Sequence, residues 1–385
     1  MKKILAMLLA LCMIFALAAC GETAPAETKP AEEPAAEAPA EEPAAAPEEP
    51  AEETAPEAPA EEAPAEEAPA EEIPADAAYK LGLGVSLNMD SSKEGNAQVD
   101  ATTAAVILDE QGKIVAAKID VAQNKMDITD GAVDTEKEFL TKAELGDDYN
   151  MVKFSDATLE WYQQAAAFEQ YVLGKTAEEV EAMETVVNEE GHEVTTDETL
   201  YASCSISIGD FKEAVVKACN DDQAATFAGA GGFSLGLAII SKADESTAAT
   251  AEEDGVVKMY SEYAAVVVDG DGVILAAVTD ATQPQIKINA AGEIVETSFK
   301  GTKRELKEDY NMVKFSDATL EWYEQAKNFT DYATGKTAEE LRATETKTND
   351  EGHNVFVDET LYASVSISID GMINVIAKAA DNAAA

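Results

Sequence analysis

Asp148–Tyr162 reads Asp-Tyr-Asn-Met-Val-Lys-Phe-Ser-Asp-Ala-Thr-Leu-Glu-Trp-Tyr, and the same fifteen residues return unchanged as Asp309–Tyr323. A repeat spaced by roughly the size of a domain points to two copies of a globular unit, because solenoid repeats are roughly 20 to 50 residues long. Downstream of Ser155, a suitable N-cap, Trp161, Ala165, Phe168 and Val172 fall on one face of a predicted helix. Trp322, Ala326, Phe329 and Ala333 repeat the stripe, so the tryptophans read as core anchors. Gly174 stops the helix, and Thr176 with Glu179 forms a capping box for a second one, as Thr337 does with Glu340.

Upstream of the run, Lys80–Asn88, Thr102–Asp109 and Lys113–Val121 carry strand signals, with Glu110-Gln111-Gly112 as a tight turn. In the second copy, Glu262–Val268 and Val273–Thr279 flank Gly270-Asp271-Gly272, and Met126–Ile128 and Gln285–Ile288 are candidates to extend the same sheet. Farther downstream, Leu200–Ile208 and Leu361–Ile369 alternate as strands do, and Gly209–Ala218 reads as a closing amphipathic helix. Strands and helices are grouped rather than alternating, so the expected class is α+β: two tandem copies of an antiparallel sheet with packed helices. The copies are placed at residues 79–224 and 233–385, each long enough for its own core, with Ala228–Gly232 as a flexible joint.

Residues 1–20 combine Lys2 and Lys3, an apolar stretch too short to span a bilayer comfortably, and Leu17-Ala18-Ala19-Cys20-Gly21. This ending resembles a bacterial lipobox, which implies acylation of Cys20, a lipid bilayer as partner, and a place on the extracytoplasmic face of the cell membrane. Two acyl chains on one residue suffice for stable anchoring. Residues 21–78 are almost wholly Ala, Glu and Pro and hold twelve of the thirteen prolines. Such a stretch is expected to be a disordered, extended spacer. The whole chain has 76 acidic against 27 basic residues, a net charge of −49. Phosphate recognition needs the opposite sign, so nucleic acid is excluded as an expected partner.

Once Cys12 leaves with the signal and Cys20 takes lipid, Cys204 and Cys219 remain, matched in the second copy by Val365 and Ala380. Small apolar replacements indicate packing thiols. His192 and His353 each sit in a polar Glu-Gly-His turn, too few ligands per copy for a metal site. Tyr149 with Tyr310, and Tyr201 with Tyr362, read equally as surface or core aromatics.

The order of hairpin, helices, serine-rich segment and final Ala-Val helix resembles the FMN-binding domain family. That family's attachment motif reads Asp-x-x-Ser/Thr-Gly-Ala-Thr, and a flavin transferase joins FMN to its last threonine. The resemblance places Ser205 and Ser366 at the acceptor, Ser203 and Ser364 at the glycine, and Cys204 and Val365 at the alanine. It departs from the pattern in lacking the glycine, in offering serine as acceptor, and in putting Thr199 and Thr360 where the aspartate belongs. By themselves these serines read equally as small residues of an edge strand leading into a helix. The resemblance implies a flavin carrier that passes electrons to a redox partner, with no catalytic residues of its own. The competing expectation is a non-enzymatic surface module that binds a solute, a partner protein or cell-wall material.

Overall fold

The computed structural model describes residues 78–229 and 232–384; the signal, Cys20 and the spacer lie outside them. The first copy begins with strands β1 (Ala78–Asn88), β2 (Asn96–Leu108) and β3 (Ile114–Asp127). Four helices follow: α1 (Lys142–Leu145), α2 (Met151–Phe154), α3 (Trp161–Val172) and α4 (Ala177–Glu181). The small hairpin β4 (Thr185–Val187) and β5 (Glu193–Thr195), helices α5 (Glu198–Ser203) and α6 (Gly209–Cys219), and strand β6 (Ala225–Ala228) complete it.

The second copy opens with six strands in place of three: β7 (Ser234–Lys242), β8 (Gly255–Lys258), β9 (Tyr260–Val268), β10 (Ile274–Thr282), β11 (Gln285–Ile288) and β12 (Ile294–Ser298). Its helices are α7 (Lys303–Leu306), α8 (Met312–Phe315), α9 (Trp322–Ala333) and α10 (Ala338–Arg342). Hairpin β13 (Thr346–Thr348) and β14 (Asn354–Phe356), then α11 (Glu359–Ser364) and α12 (Asp370–Ala384), close it. The main sheets run in the orders β3-β2-β1-β6 and β10-β9-β7, with every pairing antiparallel, and the class is α+β.

Each main sheet is covered on both faces. Ala104, Val106 and Leu108 of β2 point at Trp161, Phe168, Phe211 and Val215 of the helices, while Ala105 and Ile107 point the other way. Strand β9 does the same, with Ala264, Val266 and Val268 toward α9 and α12. The outward faces of the two sheets meet in a shared core of Leu81, Leu83, Val85, Leu235, Leu237, Ile239, Tyr263 and Val267. The result is four layers, helix, sheet, sheet and helix, which accounts for the near-continuous apolar runs of these strands.

Three sequence expectations are corrected. The segment Leu200–Ile208 is not a strand: Asp197 accepts the N–H groups of Thr199 (2.9 Å) and Leu200 (3.0 Å) and caps α5, with Asp358 capping α11 likewise. Ser155 does not start the long helix. It closes α2 by donating to the Met151 carbonyl (2.8 Å), and α3 begins six residues later. Met126 lies in the main sheet, but Gln285–Ile288 joins a separate sheet of order β12-β11-β8. That small sheet packs Val257, Ile286 and Ile288, with Met259 just beyond β8, against Val99 and Met126 of the first copy. Of the joint expected to be flexible, Ala230 and Gly231 lie outside the described residues; on either side of it in the chain, Phe227 and Phe233 pack with Tyr79, with ring centroids 5.1 to 5.6 Å apart.

Candidate functional site: a cleft in the first copy

Asp120, at the middle of β3, is buried and accepts the N–H of its neighbour Val121 (2.7 Å) and that of Ala143 (3.1 Å). This ties the start of α1 to the sheet. Thr141 and Glu144 complete a capping box there, at 3.2 and 2.9 Å. The first residue of α1, Lys142, is thereby held with its Nζ 5.1 Å from the Tyr149 ring centroid and 5.5 Å from that of Trp161. Burial pushes its pKa down, opposed by Asp100, Asp210 and Asp120.

The repeated run supplies the opposite side. Asn150 adopts a left-handed conformation (φ 57°) and turns the chain into α2. The Glu160 carboxylate takes the Met151 and Val152 N–H groups at 2.8 and 3.3 Å, while Gln163 caps the Glu160 N–H at 2.9 Å. One glutamate therefore joins α2 to α3 and sets Trp161 at the helix start. The same bonds recur at Glu321, which explains structurally why this run reads alike twice.

Between these walls lies a cleft of about 1020 Å³, lined by Asp100, Thr102, Lys142, Tyr149, Trp161 and Ser205 among others. Ser205 is half-buried; its N–H and Oγ both reach Gln164 Oε1, at 2.9 and 3.3 Å. Ser366 repeats this on Gln325, at 2.8 and 3.3 Å. Ser203 and Ser364 are turned back onto the Leu200 and Leu361 carbonyls and close their short helices. Of the four serines, Ser205 alone is among the residues lining this cleft.

Sequence reasoning passed over Lys142, Asp100 and Asn88. A signal for the first was present: Thr-Lys-Ala-Glu-Leu at Thr141 and Thr-Lys-Arg-Glu-Leu at Thr302 are a repeated capping box with a lysine just inside it. Asp100 Oδ1 is buried and has no hydrogen-bond partner among the described residues. Cys204 is buried and Cys219 half-buried, each pushed up to about 12 by burial, as inert packing thiols are. His192 stands exposed in the β4–β5 turn at the cleft rim.

In the second copy the lysine is Lys303, enclosed by three rings: Tyr260 at 4.9 Å, Tyr310 at 5.0 Å and Trp322 at 5.1 Å. Lys303 is buried where Lys142 is half-buried, and burial drives its pKa down to about 8.

No family model matches this chain, and no solved structure matches it. A curated protein of Desulfitobacterium hafniense, described as a chlorophenol reductase, is 32% identical over 124 residues. The match covers 27% of this chain and 38% of that protein, so the chain spans well under half of the relative's length.

Proposed function

We propose that the protein is a membrane-tethered electron carrier whose first copy holds FMN in the cleft, with Ser205 as its point of attachment. The observation that carries this reading is that Ser205, one of the two serines that the resemblance places at the acceptor, opens onto a cleft of ring-binding size and chemistry. Pockets for ligands of this size are ~300–1,000 Å³. The half-buried Tyr149 offers aromatic surface for a planar ring, Lys142, lying over the buried Trp161, offers positive charge, and the orphaned Asp100 Oδ1 calls for a donor such as a ring N–H or a ribityl hydroxyl. When bound, FMN supplies one- and two-electron transfer, and the protein supplies orientation and electrostatics. The redox description of the one relative above agrees with this reading.

The charges near Ser205 discriminate between modes of attachment. Asp210 lies in the first turn of α6, and the Glu193 carboxylate stands against Gly209. A free phosphate monoester, with about −1.5 to −2 charges at neutral pH, would be repelled there. A phosphodiester on Ser205 carries a single charge and is tolerated better. Chain made together with a flavin transferase is expected to be yellow and heavier by one or more flavin phosphates. Ser205→Ala should be colourless with unchanged circular dichroism. A colourless parent protein of unmodified mass would sink the proposal.

The tether is proposed from Cys20 and the extended spacer. Cys20→Ser is expected to move the protein from the membrane fraction to the soluble one. The surface-module alternative draws on the acidic cleft rim, with Asp156, Glu189 and Glu190, which suits a cationic or neutral solute. Saturable binding of such a solute by flavin-free chain would favour it.

A further inference from the structure

We infer that only the first copy is a binding unit, and that the second is a closed copy in which protein side chains occupy the place of the ligand. The inference rests on the cofactor reading of the cleft and adds its stoichiometry.

Strand register equates the two copies without ambiguity. Asn88 pairs with Asp100, and Ser86 with Thr102; the corresponding pairs across β7 and β9 are Lys242 with Tyr260, and Ile240 with Glu262. Three neighbouring cleft positions thus hold Asn88, Asp100 and Thr102 in the first copy but Lys242, Tyr260 and Glu262 in the second. Each replacement is larger. The three also interlock: Lys242 Nζ lies 5.5 Å from the Tyr260 ring, Lys303 Nζ reaches Tyr260 Oη at 3.4 Å, and Tyr260 Oη reaches Glu262 Oε1 at 3.5 Å.

A fourth position shows that the exchange is compensated. The first turn of α6 carries Asp210, and the matching residue of α12 is Gly371. A Cβ on Gly371 would collide with the Glu262 carboxylate. In the first copy the carboxylates that face the lysine are Asp100 on β2 and Asp210 on the helix, leaving the strand open at Thr102. In the second, Glu262 comes from the strand and fills the space. The orphaned Asp100 Oδ1 has as its counterpart a tyrosine bonded to protein groups on both sides. A site that awaits a ligand leaves polar atoms unpaired, whereas a closed one satisfies them internally.

Flavin content per chain tests this, measured by absorbance of the unfolded protein and by intact mass after production with a flavin transferase. The expected content is one per chain, abolished by Ser205→Ala and untouched by Ser366→Ala. Two flavins per chain, or a loss caused by Ser366→Ala, would overturn the inference while leaving the cofactor reading intact. No flavin in either copy would overturn that reading and this inference with it. The variant Lys242→Asn/Tyr260→Asp/Glu262→Thr, if its circular dichroism matches the parent, should rise toward two. A content fixed at one would refute closure by these side chains.

Discussion

Glu169 of α3 is a buried carboxylate whose oxygens face the Ile119 N–H at 2.7 Å and Lys118 Nζ at 3.9 Å. Burial raises its pKa from 4.5 to about 7 despite both contacts. The sign follows from proton counting. Between about pH 4.5 and 7 the folded chain holds a proton that the unfolded chain has released, so stability falls as pH rises through that window and is flat above it. A shift of this size corresponds to at most about 3 kcal/mol. Glu169→Gln should flatten the profile in urea unfolding at several pH values. A variant that retains the full slope would assign the effect to other groups, among them Asp280, which burial raises to about 6. Asp280 also accepts the Arg304 N–H at 3.1 Å, so Asp280→Ala should cost about 2–4 kcal/mol through that unpaired N–H and the lost helix anchor. The buried position of these acids was not legible in the sequence, because a chain with 76 carboxylates gives no sign of which few are enclosed.

At the scale of elements, α6 lies directly on the backbone of β1. A Cβ at Gly82 would fall inside the Ala218 carbonyl, and one at Gly84 would crowd Ala214 and Ala218. Gly236 repeats the approach under α12, while Ala238 stands where Gly84 does. Gly82→Ala must lift the helix or bend the strand and is expected to lower stability by about 1–3 kcal/mol, read as a fall in melting temperature. Tolerance of the substitution would mean that the helix packs more loosely than described. The buried stripe of α3 and both Thr-Glu capping boxes were legible because they depend on spacing within one helix. Helix α5 was not. Its residues alternate as a strand would, and the Asp197 cap outweighs that pattern because two N–H groups bind one carboxylate oxygen.

Across the whole molecule the copies meet like the halves of a symmetric dimer. Lys217 pairs with Glu305 at 3.2 Å, and the reciprocal pair, Lys378 with Glu144, lies at 2.6 Å. Each lysine also donates to a strand carbonyl of its own copy, Lys217 to Val85 and Lys378 to Ile239, at 2.9 Å. The symmetry is broken around Arg304, which forms two 3.0 Å bonds to the buried Asp221 and a third to the Gln223 carbonyl, with Lys307 paired to Asp222 beside it. Arg304→Ala leaves a buried charge unpaired and should cost about 3–5 kcal/mol, whereas the more exposed Lys378→Ala should cost under about 1 kcal/mol. With a shared apolar core between the sheets, calorimetry should show a single cooperative transition for both copies. Two separable transitions would contradict that coupling.

The sequence by itself determined the duplication, the α+β class and the helix faces, since each is written in spacing along the chain and needs no knowledge of what lies across from it. A resemblance to a motif also pointed to Ser205 and Ser366 alike. Only the tertiary structure decided that the sheets share a core, that Lys142 is framed by two aromatic rings, and that Tyr260 and Glu262 stand where the first copy has its cleft. Those outcomes depend on side chains brought together from distant strands and helices, and a cavity is defined by which neighbours are small, a property that no single stretch of sequence contains.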